Sequence, residues 1–307
     1  MFNLAHIHIV LNHIPSLGSI AGLLLLAAAI YTKNDALKKF AFLALVLVTL
    51  AVLPTYITGV EAQRAVLKNP SVARGMIQVH QNAAMLTLVG MTFAGAFAWF
   101  GLWEFRRFSR AGGLTTYGTL VATGISAFLI LNTASLGGKV SHPEVRDGMD
   151  AGVTEAAGWR DPIERFVNDH GWTWPAAETM HFIGMALLFG VSLLLLLRML
   201  GVMKSIPFQG IHRLLPMGII GFVVNVFTGM LFYIASPGIY LGKTGFHIKI
   251  ASIVIAAIPL LYFTLFDEAW QTGSNQSAPL RAKIAAVATF GLLVAVMIYG
   301  RFLPFLS

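Results

Sequence analysis

Eight apolar stretches, at 8–31, 38–60, 78–103, 114–136, 178–200, 210–235, 246–266 and 283–303, are each about twenty residues or longer and poor in charge. At about 1.5 Å of rise per residue, about twenty apolar residues in a helix cross a hydrocarbon core about 30 Å thick. Each stretch therefore predicts one transmembrane helix. Lipid-exposed strands would alternate polar and apolar side chains, and these do not. With 57% hydrophobic residues, 11% charged and a mean hydropathy of +0.75, the chain cannot be a soluble globule. The expected fold class is an all-α membrane protein of eight transmembrane helices. The first stretch lacks a basic leader and a small-residue cleavage site, so it is expected to be a retained helix and not a removed signal peptide.

The basic residues set an expected orientation. Lys33, Lys38 and Lys39, then Arg106, Arg107 and Arg110, then Arg198, Lys204 and Arg213, then Arg281 and Lys283 crowd the turns after spans one, three, five and seven. Short loops rich in Lys and Arg face the cytoplasm, so both termini are expected on the extracytoplasmic side. The segment between spans four and five holds eight acids from Glu144 to Glu178 against Lys139, Arg146, Arg160 and Arg165. The net charge of +8 does not point to nucleic acid, because the basic residues flank membrane spans and form no run interleaved with aromatics. Anionic lipid headgroups are the simpler counter-charge.

Histidines recur at a nearly constant interval: the separation of His13 from His80 is matched, to within a single position, by that of His181 from His247. One common shift along the chain superposes the two pairs, and a slightly larger one superposes Thr58-Gly59 on Thr228-Gly229. Repeats at a fixed offset indicate duplicated architecture. The expected organisation is two tandem four-helix bundles, residues 1–137 and 176–307, joined by an extracytoplasmic segment, 138–175. Within that segment Asp161-Pro162-Ile163-Glu164 has the cap, first-turn proline and early glutamate of a short helix running to about Asn168.

Members of each histidine pair open spans that run in the same direction, so they start at one depth. In an up-down bundle alternate helices lie diagonally across the core, where two imidazoles can grip one iron from either face of a macrocycle. His13 with His80, and His181 with His247, are therefore expected to hold one or two b-type haems. Gly59 and Gly229 are expected to make room for the macrocycle. Arg64, Arg74, Lys243 and Lys249 stand on the correct side to neighbour propionates. The chain contains no cysteine, which excludes thiolate metal sites and covalent C-x-x-C-H haem attachment. Polar contact with water or a backbone carbonyl is the competing explanation for any one of these histidines, and copper is another metal they could take. His6 and His8 are expected to be solvated, with binding of a partner's cofactor or of a metal as the alternative; His170 is expected to be solvated, His212 to sit at headgroup level, and His142 to be able to fold over the first bundle's site. Glu61, just past Thr58-Gly59, is a candidate proton acceptor for a quinol. No phosphate loop, nucleophile elbow or H-E-x-x-H motif occurs.

The run Ala5-His6-Ile7-His8-Ile9-Val10-Leu11-Asn12-His13-Ile14-Pro15 resembles the opening of a bacterial family of four-helix membrane proteins of unknown function. Those proteins begin with His-Pro, a short apolar run and His-Phe-Pro, and carry a further histidine in their third helix. Ile9 and Ile14 stand where the family has Pro and Phe, and the resemblance covers roughly residues 5–140. The second half, through Met180-His181-Phe182-Ile183-Gly184 and Phe246-His247-Ile248-Lys249, is similar to another uncharacterised membrane family, which often has Arg at the His247 position. Both resemblances imply a b-type cytochrome or membrane subunit of a redox complex in a bacterial cytoplasmic membrane. It would relay electrons between quinol and an extracytoplasmic partner such as a c-type cytochrome. A cofactor-free membrane anchor is the alternative, and a metal transporter a more remote one.

Overall fold

The computed structural model describes residues 4–67, 74–141, 162–273 and 275–303. These residues form helices and connecting turns, with no strand among them. Eight helical segments are long and apolar enough to cross a membrane, among them Leu4–Tyr31, Asp35–Gln63, Thr173–Leu200 and Leu280–Phe302. The chain is thus an all-α, multi-pass membrane protein. It separates into two compact units, residues 1–98 with 113–166, and residues 99–112 with 167–307.

The first unit is built from α1 (Leu4–Leu11), α2 (His13–Tyr31), α3 (Asp35–Val66), α4 (Arg74–Phe108, its first part) and α5 (Gly113–Ser141). α1 and α2 make up one span. Asn12 between them keeps helical dihedrals of −63° and −20°, and its N–H reaches the His8 carbonyl at 2.9 Å. Pro15 follows in the first turn of α2, where a missing N–H costs least. α1 and α2 both pack on α3, and α2 also packs on α5. The Thr49 hydroxyl donates to the Met91 carbonyl at 3.0 Å to join α3 to α4. The hydroxyls of Thr87 and Thr133, 3.0 Å apart, join α4 to α5. Contacts therefore close into a ring, α2-α3-α4-α5, which is a four-helix bundle with α2 and α4 diagonal. Leu26, Phe42, Leu45 and Met91 are fully buried in this unit.

The second unit holds the end of α4, then α6 (Pro162–Asp169, its last part), α7 (Thr173–Leu200), α8 (Phe208–His212), α9 (Leu215–Ala235), α10 (Pro237–Tyr240), α11 (Thr244–Leu265) and α12 (Leu280–Phe302). α6 confirms the short helix expected at Pro162; Asp161 lies outside the described residues. Asn168 Nδ2 donates to the Ala235 carbonyl at 2.9 Å. α7 packs on α9 and α12, α11 packs on α12, and Tyr233 of α9 stacks on Phe246 of α11 at 5.1 Å. The ring closes again, here with α7 and α11 diagonal.

Residues 99–112 differ from the expected boundaries, since they belong to the second unit. Trp103 Nε1 donates to the His212 carbonyl at 3.0 Å, and Arg106 pairs with Asp267. His212, expected at headgroup level, lies in the first turns of the span Phe208–Ala235 but is covered by protein. It is 3% exposed, stacked on Trp103 at 6.1 Å and met edge-on by Trp270 at 4.8 Å. Arg198, counted above among the loop cations, is also fully buried. Its Nε donates to the Ile206 carbonyl at 2.6 Å, and its guanidinium lies 3.4 Å over the Phe208 ring. At the end of α7, Gly201 adopts φ +86°, a left-handed cap that L side chains resist.

Candidate functional site: paired polar heads on diagonal helices

His13 does not reach the first unit's interior. It is exposed, and its Nδ1 donates to the carbonyl of Ile9 one turn earlier, at 2.8 Å. The imidazole that α1 turns inward is His8. Five residues at 100° each separate the two histidines by about 140° around a helix, so both cannot face one site. His8 Nδ1 lies 3.0 Å from the Thr55 carbonyl on α3. A carbonyl only accepts, so Nδ1 carries the proton and the neutral ring offers an unprotonated Nε2. The ring rests against Gly59, where a Cβ would stand 2.8 Å from Cε1.

His80 has the same arrangement one helix pair away. Its Nδ1 donates to the Thr133 carbonyl on α5 at 3.0 Å, and its ring rests against Gly137, where a Cβ would stand 3.0 Å from Cε1. His80 also lies within electrostatic range of His8. The first unit thus brings together His8 and His80, with both Nδ1 atoms tied to backbone and both Nε2 lone pairs available. Backbone carbonyls on Nδ1 are the usual second-layer support of metal-bound imidazole, since they fix tautomer and ring orientation.

In the second unit His181 is turned inward as expected. Thr228 donates its hydroxyl proton to the Val224 carbonyl at 2.7 Å, so the oxygen accepts from His181 Nδ1, also at 2.7 Å. Gly229 is close, with a Cβ position 3.9 Å from the ring. Phe232 packs against the imidazole at 5.5 Å. His247 directs its Nδ1 to the carbonyl of Lys243 in its own first turn, at 3.0 Å, and its Nε2 is buried. The group within electrostatic range of His181 is Lys249, whose Nζ lies 3.2 Å from the Cβ position of Gly300 on α12.

The two units therefore share one plan in a register the histidine spacing misses. His8 corresponds to His181, Gly59 to Gly229, His80 to Lys249 and Gly137 to Gly300, in the same chain order and on corresponding helices of each unit. An imidazole on the first helix leans on the second, and a polar head on the third leans on the fourth. One unit ends with two imidazoles, the other with an imidazole and an amine.

Of the other candidates, Lys243 Nζ donates to the Leu303 carbonyl at 3.1 Å and so serves the end of α12. Glu61 is buried on α3. Arg64 and Arg74 belong to α3 and α4, but their side chains lie outside the described residues, as does His142. His6 and His170 are exposed. Among the described residues no three His, Asp or Glu side chains gather as an all-protein metal site would need. The chain matches no protein-family model, no curated protein and no solved structure.

Proposed function

We propose that this chain is the membrane subunit of a redox complex, a b-type cytochrome in which His8 and His80 hold a single haem b in the first unit. The observation that carries the reading is the matched pair of Nδ1–H donations, to Thr55 and Thr133, made by two inward imidazoles on diagonal spans. Two imidazoles, with no group of three His, Asp or Glu among the described residues, suit an iron whose four equatorial positions a macrocycle fills, and suit a bare metal ion poorly. Gly59 and Gly137 leave the rings space that any other residue would take. When bound, a bis-imidazole haem supplies one-electron transfer. The protein residues orient Nε2 through the two carbonyls and exclude water. On this reading the second unit, with Lys249 at the position of His80, is assigned no second haem.

On this reading the electron donor is a quinol and the acceptor an extracytoplasmic partner such as a c-type cytochrome. The membrane is the bacterial cytoplasmic membrane, with the Lys- and Arg-rich turns inside and both termini outside. The testing measurement is the absorption spectrum of the purified, dithionite-reduced protein. A b-type alpha band is expected in the wild type and in H13A, and its loss in H8A and in H80A. A wild-type protein without the band leaves the cofactor-free anchor as the function. Retention of the band in H8A with its loss in H13A would restore the pairing that sequence spacing suggested.

A further inference from the structure

We infer that the second unit seats a quinol head group between His181 and Lys249. The assignment deepens the quinol-linked reading above and rests on it for the class of ligand; the geometry comes from the second unit alone.

His181 and Lys249 stand on the diagonal helices α7 and α11 within electrostatic range of each other. His181 spends its proton on Thr228, so its Nε2 accepts from a quinol hydroxyl. Lys249 Nζ donates to the oxygen of the other quinol hydroxyl in either protonation state. Among the described residues no carboxylate pairs with Lys249, so the lysine is not half of an internal ion pair. An amine placed inside a membrane span without a counter-charge is costly and marks a ligand or ion path. An imidazole and an amine at opposite edges suit a flat ring with oxygens at its two ends. They suit iron less well than the two imidazoles of the first unit. Phe232 against His181, and Trp174 against Phe232 at 5.0 Å, give the imidazole an aromatic flank.

Depth separates this ligand from a lipid phosphate. The 28-residue span Thr173–Leu200 is about 42 Å long, overhanging a hydrocarbon core of about 30 Å by roughly 6 Å at each end. His181, eight residues from Thr173, then lies about 6 Å inside the core. The 22-residue span Thr244–Leu265 overhangs by only about 1.5 Å, which puts Lys249, five residues from its start, also about 6 Å inside. The two heads share one depth, below the phosphates and where a quinone ring with an isoprenoid tail resides.

The test is equilibrium binding of decylubiquinol, kept reduced under anaerobic conditions, to the whole protein in nanodiscs, with haem content and thermal midpoint followed in parallel. Saturable binding is expected in the wild type. Lys249→Met and His181→Phe should each weaken it about tenfold or more, the size expected from losing one buried hydrogen bond. Lys249→Gln, which keeps a donor, should stay within about threefold, and haem content should not change. Absence of saturable binding, equal affinity in Lys249→Met and wild type, or displacement by cardiolipin would overturn the assignment. So would a second haem that is lost in H181A. If the wild type shows no b-type band but binds quinol through Lys249, the haem reading fails and this one stands.

Discussion

Gly59 on α3 sits so close to the His8 imidazole on α1 that a methyl group there would stand 2.8 Å from Cε1 and 3.1 Å from Nδ1. No real Cβ contact is as short as the first of these, so Gly59→Ala must displace the ring and stretch its bond to Thr55. The corresponding distance at Gly229 is 3.9 Å, an ordinary contact. Gly59→Ala should therefore lower haem retention and cost about 1–3 kcal/mol as overpacking does, while Gly229→Ala stays close to neutral. Haem stoichiometry and thermal midpoints of the two variants, compared side by side, check the asymmetry.

How the chain crosses the membrane was legible because hydropathy counts residues along an axis, and the eight helices fall where the apolar stretches lie. Pro162 likewise marked α6. The repeated Thr-Gly pair was a true landmark, since both glycines lie beside an inward imidazole. What was not legible is angular. His8 rather than His13 turns inward, five residues or about 140° of helix away, and His247 and Lys249, two residues or about 200° apart, lean on different partners. Spans this apolar carry little amphipathic signal to say which face turns inward. Facing is decided by packing on α3 and α12, which the near-equal spacing of the histidines does not encode. The burial of Arg198 and His212 was hidden for a related reason: both lie at helix ends beside turns whose charge suggested water, while Phe208, Trp103 and Trp270 cover them.

Thr228 relays a hydrogen bond, accepting from His181 and donating to Val224. Thr228→Val keeps the shape and removes both. The buried imidazole N–H then has no acceptor, a loss of about 1–3 kcal/mol. Thr228→Ser should behave as wild type. Thermal unfolding in detergent, with quinol affinity measured on the same samples, separates the hydroxyl's contribution from the methyl's.

Arg198 is fully buried and combines a charged hydrogen bond to Ile206 with stacking on Phe208. A hydrogen bond from a charged donor contributes about 1.5–3 kcal/mol, and a desolvated cation over an aromatic ring about 2 kcal/mol. Arg198→Ala removes both and leaves a cavity in the cluster of Leu195, Phe208 and Trp270. It should be among the most destabilising single substitutions in the second unit, by about 3 kcal/mol or more. Arg198→Lys should recover only part, because an ammonium has no planar face to lay on Phe208. The thermal midpoints of the two variants, with the haem band as a control for the first unit, decide this.

Tyr240 lies outside the spans, in α10, with its ring 5.2 Å from that of Phe246. Burial, and secondarily the negative charge of Glu178, push its phenol above the ordinary value of 10.0. The protonated form is the one the fold favours. As pH rises past the ordinary value the unfolded chain loses this proton first, and the folded state loses relative stability until its own phenol ionises. Stability of the second unit should hold below about pH 10 and fall above it, with a shallower fall in Tyr240→Phe. In Glu178→Gln the phenolate should form at lower pH than in the wild type, though still above the ordinary value because burial remains. Phenolate absorbance near 295 nm followed from pH 9 to 12 in wild type, Glu178→Gln and Tyr240→Phe measures both effects, and identical curves for the first two would remove Glu178 from the account.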